Sequence, residues 1–248
     1  MTALTMGGFP ARHSYDRNVF LVLVGLVWIG ILTGFGTSSY RHLTEFGLDY
    51  PWIVHVHAVT FVSWLLLFTV QTVLIRTDRV SLHRRLGIYG IILAAAMMVI
   101  GPATALTIHA MRFATDGATP EFLAVQLTDM LAFGTLTGAG LLLRRNASAH
   151  KRLVLLGLFY LSDAGFSRFI NPFVAQPLGE GFWGDMAALY FGSTFLMILL
   201  GVYDLVTRRR LHIAYVIGMI WAFTLEVTAR SLVYNETWSE IALRLIGQ

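Results

Sequence analysis

The sequence predicts an all-α membrane protein, a bundle of seven transmembrane helices, from its composition, its long apolar stretches and the placement of its basic residues. Hydrophobic residues make up 56% of the 248 residues and charged residues only 13%, and the mean hydropathy is +0.67. Soluble domains rarely have such a composition. The net charge of +4 comes from basic residues between apolar stretches, so no nucleic-acid-binding face is indicated. Because the chain has no cysteine, a metal would need nitrogen or oxygen ligands.

Seven apolar stretches have about the 20 residues that are needed to cross the hydrocarbon core of a bilayer. They cover residues 18–36, 51–75, 86–110, 121–143, 153–170, 185–206 and 212–234. No small-residue cleavage site follows the first stretch, which indicates a retained helix rather than a signal peptide. The predicted organisation is therefore an N-terminal segment 1–17, a transmembrane domain 18–234 built from one leading helix and three helical hairpins, and a C-terminal segment 235–248.

The basic residues favour one side of the predicted membrane. Most of them fall within residues 12–17, 76–85, 144–152 and 208–210, which all lie on the same side. By the positive-inside rule this side is cytoplasmic, so the N-terminus is predicted in the cytoplasm and the C-terminus outside. Within the clusters, His83, His150 and His212 each stand next to basic residues at the start of a helix. We expect these clusters to anchor helix ends in anionic headgroups, with the histidines wetted at the interface.

The second predicted helix carries two histidines near its outer end. Residues two apart on a helix point about 200° apart, so His55 and His57 cannot both face the interior of the bundle. His57 shares a stripe with Trp64 and Gln71 at helical spacing. We therefore predict that His57 faces inward.

Three carboxyl groups are predicted within the bilayer: Asp129, Asp163 and Glu226. A carboxylate near the centre of a transmembrane helix costs about 2.5–3.5 kcal/mol on insertion scales, so each of them needs a partner or a wet cavity. The other polar residues predicted in the outer half of the bundle are His109, Gln126, Arg168 and Arg230. Together these side chains predict a polar pocket in that half.

A metal ion or haem is the first interpretation of this pocket. Imidazole and carboxylate ligands suit zinc, copper or iron. The predicted metal ligands are His57, Asp129 and Asp163, with His55 or His109 as a further ligand. For haem b, His57 and His109 are the predicted axial pair. Either cofactor would indicate membrane redox or related chemistry.

Three other interpretations fit the same residues. The side chains can satisfy one another in three pairs: Glu226 with Arg230, Asp163 with Arg168 or a nearby hydroxyl, and His57 with Asp129. They can form the ion or proton site of a transporter component, although below Gln71 the helices are mainly aliphatic. The chain can also be a non-catalytic accessory or assembly subunit that binds other membrane subunits through lipid-facing surfaces.

Metalloprotease, serine-hydrolase and P-loop motifs are absent from the sequence, and the sequence does not decide whether the chain is an enzyme.

Several short motifs resemble those of a family of bacterial seven-pass membrane proteins that has no assigned activity. They are His55-x-His57 with Phe61, Trp64 and Gln71, then Leu82-His83-Arg84-Arg85-Leu86-Gly87, Phe122-Leu123-Ala124-Val125 with Asp129, His150-Lys151-Arg152-Leu153, and Tyr203-Asp204-Leu205. The resemblance covers most of the chain from the second helix onward. It implies a seven-helix fold in a bacterial inner membrane and no particular activity.

Overall fold

The chain folds into a bundle of long helices. A computed structural model describes residues 9–10, 12–47, 49–179 and 181–248, and the predicted N-terminal segment 1–17 lies partly outside this range. Nine α-helices occur in the described residues: α1 (Asp16–Phe46), α2 (Trp52–Arg76), α3 (Val80–Asp116), α4 (Leu123–Leu142), α5 (Ala147–Leu161), α6 (Asp163–Leu178), α7 (Phe182–Arg208), α8 (Ile213–Val233) and α9 (Glu236–Leu245).

Five of these helices, α1, α2, α3, α7 and α8, are long and apolar enough to cross a membrane. A sixth crossing results if α5 and the first part of α6 are one bent span. The one predicted stretch left, the fourth (121–143), corresponds to α4. This helix has 20 residues, so its length suffices, but it carries Gln126, Asp129 and three threonines and is not among the five candidate spans. The fold is therefore that of a multi-pass membrane protein with five or six candidate spans.

The fifth predicted stretch, 153–170, is a broken helix rather than a single one. The break lies at Ser162, and the axes of α5 and α6 differ in direction by 45° there. The Ser162 hydroxyl donates to the carbonyl of Phe159, which satisfies a carbonyl near the end of α5. Asp163 is consequently the first residue of a new helix, whereas the sequence predicted it in the middle of one.

Contacts between helix ends show that the helices alternate in direction. At one end of the bundle, Arg17 of α1 pairs with Asp78, just after α2, and the rings of His83 and His150 lie 6.4 Å apart near the starts of α3 and α5. Lys151 also contacts the first turn of α1 there. We call this the basic end. The other end holds the start of α4, the start of α7 and the short helix α9.

At the basic end, some of the charged residues that were expected in the headgroups are paired inside the protein. The Arg152 guanidinium and the Asp204 carboxylate form an ion pair, and both side chains are completely buried. Asp16 accepts hydrogen bonds from Lys151 and from Arg208. These basic residues lie inside the protein because acidic residues of α1 and α7, far away in the sequence, reach them.

The histidines of the clusters are also engaged by the protein. His150 Nδ1 donates to the carbonyl of Gly140 at 2.8 Å, which joins the end of α4 to the start of α5. His212 is buried and caps α8, because its Nδ1 accepts the amide hydrogen of Ala214. The expectation that His212 is wetted at an interface is therefore wrong, whereas His150 is only partly buried.

Close helix contacts rely on small residues where α1 meets α6. A Cβ atom added to Gly34 would lie 2.0 Å from the carbonyl oxygen of Gly165, and one added to Gly165 would lie 2.7 Å from that of Gly30. Only glycine allows two helix backbones to approach so closely. This contact fixes α6 against α1 just beyond the break at Ser162.

Helix α9 packs across the start of α4. Trp238 Nε1 donates to the carbonyl of Glu121 at 3.0 Å, and the Ser239 hydroxyl donates to the Glu121 carboxylate at 2.9 Å. Ala242 and Ile246 add apolar contacts in a small core that includes Leu123. The predicted C-terminal segment 235–248 thus contains a helix that closes one end of the bundle.

Candidate functional site

Three carboxyl groups from three different helices meet in the interior. Asp129 of α4, Asp163 of α6 and Glu226 of α8 are 9%, 1% and 4% exposed. The carboxyl groups of Asp129 and Asp163 are close enough to interact, and Glu226 is close enough to interact with both electrostatically. We call these three residues the carboxyl cluster. The sequence predicted each of them inside the bilayer, and the fold brings them together.

Two oxygen atoms of the carboxyl cluster have no hydrogen-bond partner in the part of the chain that the structure describes. They are Oδ1 of Asp129 and Oδ2 of Asp163, and both are inaccessible to solvent. The other oxygen of Asp163 accepts the amide hydrogen of Ala164 at the start of α6. A buried carboxylate oxygen without a partner is costly, and this cost identifies the position where a ligand would be stabilised.

Asp129 and Asp163 face a cavity of about 350 Å³. Its polar wall consists of Gln126, Asp129, Asp163, Ser167, Arg168 and Asn171. Its apolar wall includes Phe122, Val125 and Leu189. Phe122, Arg168 and Asn171 are exposed, so the cavity opens at the end of the bundle where α4 begins.

Glu226 does not pair with Arg230, which corrects one predicted ion pair. Arg230 instead binds the Asp185 carboxylate at the start of α7 and donates to the hydroxyl of Tyr234. Glu226 accepts a hydrogen bond of 3.3 Å from the Thr194 hydroxyl of α7. The spacing of Glu226 and Arg230 is favourable for an ion pair on one helix. Arg230 nevertheless binds Asp185 of α7, and Glu226 stays in the carboxyl cluster.

Arg168 lies on the cavity wall without a carboxylate partner. Its Nη1 donates to the carbonyl of Ala164, and its guanidinium lies 4.3 Å above the ring of Phe35 of α1. Among the described residues no acidic side chain is within ion-pair distance of Arg168, so the predicted pair with Asp163 does not form. The ring of Phe35 holds the guanidinium in place by a cation–π contact.

The histidines of α2 lie apart from the carboxyl cluster. His55 is exposed and His57 is partly buried, in agreement with their predicted faces. The His57 ring stacks on Phe61 of the same helix at 4.0 Å, and its Nδ1 has no partner among the described residues. Helix α2 packs mainly against α3 and α1, and within the described residues no hydrogen bond joins His57 Nδ1 to Asp129. The predicted pair of these two residues is therefore not formed.

His109 is bound by Gln126 rather than by another histidine. Its Nε2 lies 2.8 Å from Oε1 of Gln126, and this hydrogen bond joins α3 to α4 beside the cavity. His109 is only 6% exposed. Gln126 therefore connects a buried histidine to the cavity wall, a link that the sequence did not indicate.

The predicted metal ligands do not assemble into a metal site. Within residues 9–10, 12–47, 49–179 and 181–248, no three histidine or acidic side chains are arranged to hold a metal ion. Asp129 and Asp163 are together, but His55, His57 and His109 are not grouped with them. The metal and haem interpretations therefore stay predictions without geometric support.

Trp64 and Gln71 occupy the stripe of α2 that was predicted to face inward. The Trp64 ring packs edge-on against Phe133 of α4 at 5.2 Å, and it is 7% exposed. Trp64 Nε1 and Gln71 Oε1 are both buried without a hydrogen-bond partner in the described part of the chain. Neither residue lines the cavity. They belong to the packing between α2 and its neighbours.

Two buried tyrosines extend the polar interior and were not predicted as site residues. Tyr160 of α5 and Tyr190 of α7 are 0% and 2% exposed, and their rings lie 5.9 Å apart. Both are close enough to the carboxyl cluster to interact with it electrostatically. Tyr190 lies near the carboxyl cluster because α7 packs against α6 and α8. The sequence alone does not show this packing.

Comparison with protein-family models, with characterised proteins and with solved structures gave no match to this chain.

Proposed function

We propose that the chain is a component of a proton- or ion-coupled membrane transporter, in which the carboxyl cluster binds the proton or cation. The observation that carries this proposal is the pair Asp129 and Asp163, buried side by side at the wall of a cavity, each with an unpartnered oxygen. Glu226 completes the cluster from α8.

The charges of the cluster support cation binding. Three carboxylates in a nonpolar interior repel one another, and each loses its hydration. A bound proton or ammonium group relieves both costs. The nearest basic side chain on the cavity wall is Arg168, which forms no ion pair with the cluster among the described residues. A mobile positive charge is therefore the partner that the cluster lacks.

The helix break at Ser162 supports a transport role as well. Interrupted helices at membrane depth occur where the backbone lines a cavity, and ion-coupled transporters use them to bind substrates and ions. Here the break lies directly before Asp163, so the cluster includes the first residue of a half-helix. Rotation of α6 about the break would change the surroundings of Asp163.

An apolar layer separates the carboxyl cluster from the basic end. Leu156 and Phe159 of α5 and Met197 and Leu200 of α7 are all at most 1% exposed. The cavity is thus open toward one end only, as expected for a single state of an alternating-access cycle. Beyond this layer, Arg152 and Asp204 form a buried ion pair. The half of the bundle at the basic end is therefore not purely aliphatic, which weakens the objection to a transport role.

The same proposal includes the finer predictions of topology and location. Helix α4 would be the seventh span, because its 20 residues cover about 30 Å and it packs between α3, α5 and α8. The basic end would face the cytoplasm of a bacterial cell, with the protein in the inner membrane. The family resemblance supports this location but adds no activity.

A pH-jump experiment on proteoliposomes tests the proposal. On a solid-supported membrane, a jump from about pH 7.5 to 5.5 should produce a transient current in the wild type, because protons enter the carboxyl cluster. Asp129→Asn and Asp163→Asn should each reduce the displaced charge by more than about half, since the remaining carboxyls no longer share a proton.

Glu240→Gln is the matched control, because Glu240 is an exposed carboxyl of α9 that lies outside the cavity. Its current should equal that of the wild type. A wild-type protein that is folded and correctly reconstituted but gives no current would contradict the proposal, and so would a current that both cluster variants retain in full.

A further inference from the structure

The cavity wall presents charges of both signs. Asp129 and Asp163 line one part of it, with one unpartnered oxygen each that has no solvent-accessible surface, and Arg168 lines another part with its guanidinium. The two acidic side chains are 9% and 1% exposed, so they are shielded from water. A cavity built only for a proton or a metal cation would gain nothing from an arginine on its wall, because the guanidinium repels a cation.

Arg168 has donors left to bind a ligand. Only Nη1 of its guanidinium has a hydrogen bond within the described chain, to the carbonyl of Ala164. Phe35 supports the face of the guanidinium and leaves its edge accessible. An arginine that is held by a ring and not by a carboxylate is well suited to bind a carboxylate from a ligand in two-point geometry.

The two kinds of charge lie on the same half-helix. Asp163 and Arg168 are five positions apart on α6, and Arg168 reaches back to the carbonyl of Ala164, next to Asp163. A molecule that contacts both needs a positive and a negative group of its own. The apolar wall, formed by Phe122, Val125 and Leu189, suits the methylene groups between them. A volume of about 350 Å³ lies within the range of small-molecule sites.

We propose that the cavity binds a small zwitterion, whose ammonium group lies between Asp129 and Asp163 and whose carboxylate lies against Arg168. This inference rests on the proposed function, because the same carboxyl cluster would take up the amine of the substrate or the coupled proton. A simple amine would leave Arg168 unused, and a simple acid would be repelled by Asp129 and Asp163. The zwitterion satisfies both parts of the wall.

Three probes of equal chain length separate these cases: 6-aminohexanoate, hexylamine and hexanoate. Binding to wild-type protein in nanodiscs is measured by the rise in unfolding temperature at increasing probe concentration. We expect 6-aminohexanoate to bind with an apparent Kd about tenfold or more below that of hexylamine, owing to the charge-assisted hydrogen bonds to Arg168. Hexanoate should cause no rise.

The variants assign the preference to Arg168. Arg168→Gln should bind 6-aminohexanoate no better than hexylamine, whereas Arg168→Lys, which keeps the charge, should retain part of the preference. Arg244→Gln is the control, because Arg244 is an exposed arginine of α9 outside the cavity. Unfolding temperatures without probe show whether a variant is folded. If Arg168→Gln does not fold, Arg168→Lys still tests the role of Arg168.

Equal binding of 6-aminohexanoate and hexylamine to the wild type would overturn the inference, as would an undiminished preference in Arg168→Gln. If neither amine binds while the pH-evoked current still depends on Asp129, the zwitterion is excluded and the proposed function stands. If the current is absent as well, both fail.

Discussion

Arg152 and Asp204 form a two-point ion pair in which neither side chain has any exposed surface. Arg152 Nε donates to Oδ2 of Asp204 at 2.6 Å, Nη2 donates to Oδ1, and Nη1 donates to the carbonyl of Ser148 at 2.8 Å. The pair joins α5 to α7 at the basic end. Since every polar atom of the guanidinium is used, the arrangement indicates a structural role.

The first prediction concerns the two halves of this pair. Asp204→Asn should lower the free energy of unfolding by about 3–5 kcal/mol, because the charge of Arg152 stays buried without its counter-charge. The double variant Arg152→Met with Asp204→Leu should recover most of the loss. Chemical denaturation in detergent micelles measures both values.

The exposed pair of Arg17 and Asp78 is the control for that experiment, since its side chains are 61% and 60% exposed. Arg17→Ala should cost no more than about 1 kcal/mol. A similar cost for Asp204→Asn would show that water reaches the pair in solution.

The second prediction concerns the contact between α1 and α6. Gly34→Ala should separate the two helices and lower the free energy of unfolding by about 1–3 kcal/mol, because the new Cβ meets the backbone of Gly165. Gly36→Ala, on the same helix with open space around it, should leave stability unchanged or slightly raised. The difference between the two unfolding free energies is the measurement, and equal values would mean that the helices are not in close contact.

The third prediction is a pH dependence from His212. Burial, with a further contribution from the positive charge of Arg152, lowers the pKa of His212 from its usual value of 6.5. The unfolded chain therefore takes up a proton at a higher pH than the folded chain. The stabilisation by His212 is complete above about pH 6.5 and is lost as the pH falls below this value.

His212→Asn tests this effect, because asparagine caps a helix but does not titrate. Between about pH 7.5 and 5.5, the unfolding temperature of the wild type should fall by about 2–4 °C more than that of the variant. If the unfolding temperatures of the two proteins fall equally with pH, protonation of His212 does not affect stability.

The fourth prediction addresses the metal and haem interpretations. Because His57 and His109 make separate contacts and are not grouped with Asp129 and Asp163, the purified protein should be colourless and free of stoichiometric transition metal. Elemental analysis and a visible spectrum check this. A Soret band that disappears in His57→Ala and persists in His55→Ala would instead establish a haem ligand.

The helices were predictable from the sequence to a large extent, because apolar length is a strong signal in membrane proteins. Each of the seven predicted stretches overlaps an observed helix, and α4 carries Gln126 and Asp129 as expected. The break at Ser162 was not predicted, since neither a proline nor a glycine marks it. Its position is determined by tertiary contacts, including the close approach of Gly165 to α1.

The residues of the site were predicted better than their partners. Asp129, Asp163 and Glu226 were recognised because a carboxyl group in an apolar stretch is conspicuous. Their neighbours depend on which helices are adjacent, which a single sequence does not reveal. For this reason Arg230 was assigned to Glu226, its neighbour on α8, although it binds Asp185 of α7.

The ionic contacts of Asp16 have a consequence for the order in which the protein is made. Asp16 lies in the first turn of α1, and its partners Lys151 and Arg208 follow it by 135 and 192 positions. In a growing chain, α1 therefore forms long before the ribosome has synthesised the residues that neutralise this carboxylate. Helix α1 completes its charge pairing only when α7 has been made, so a chain that stops short of Arg208 leaves the pairing of Asp16 incomplete.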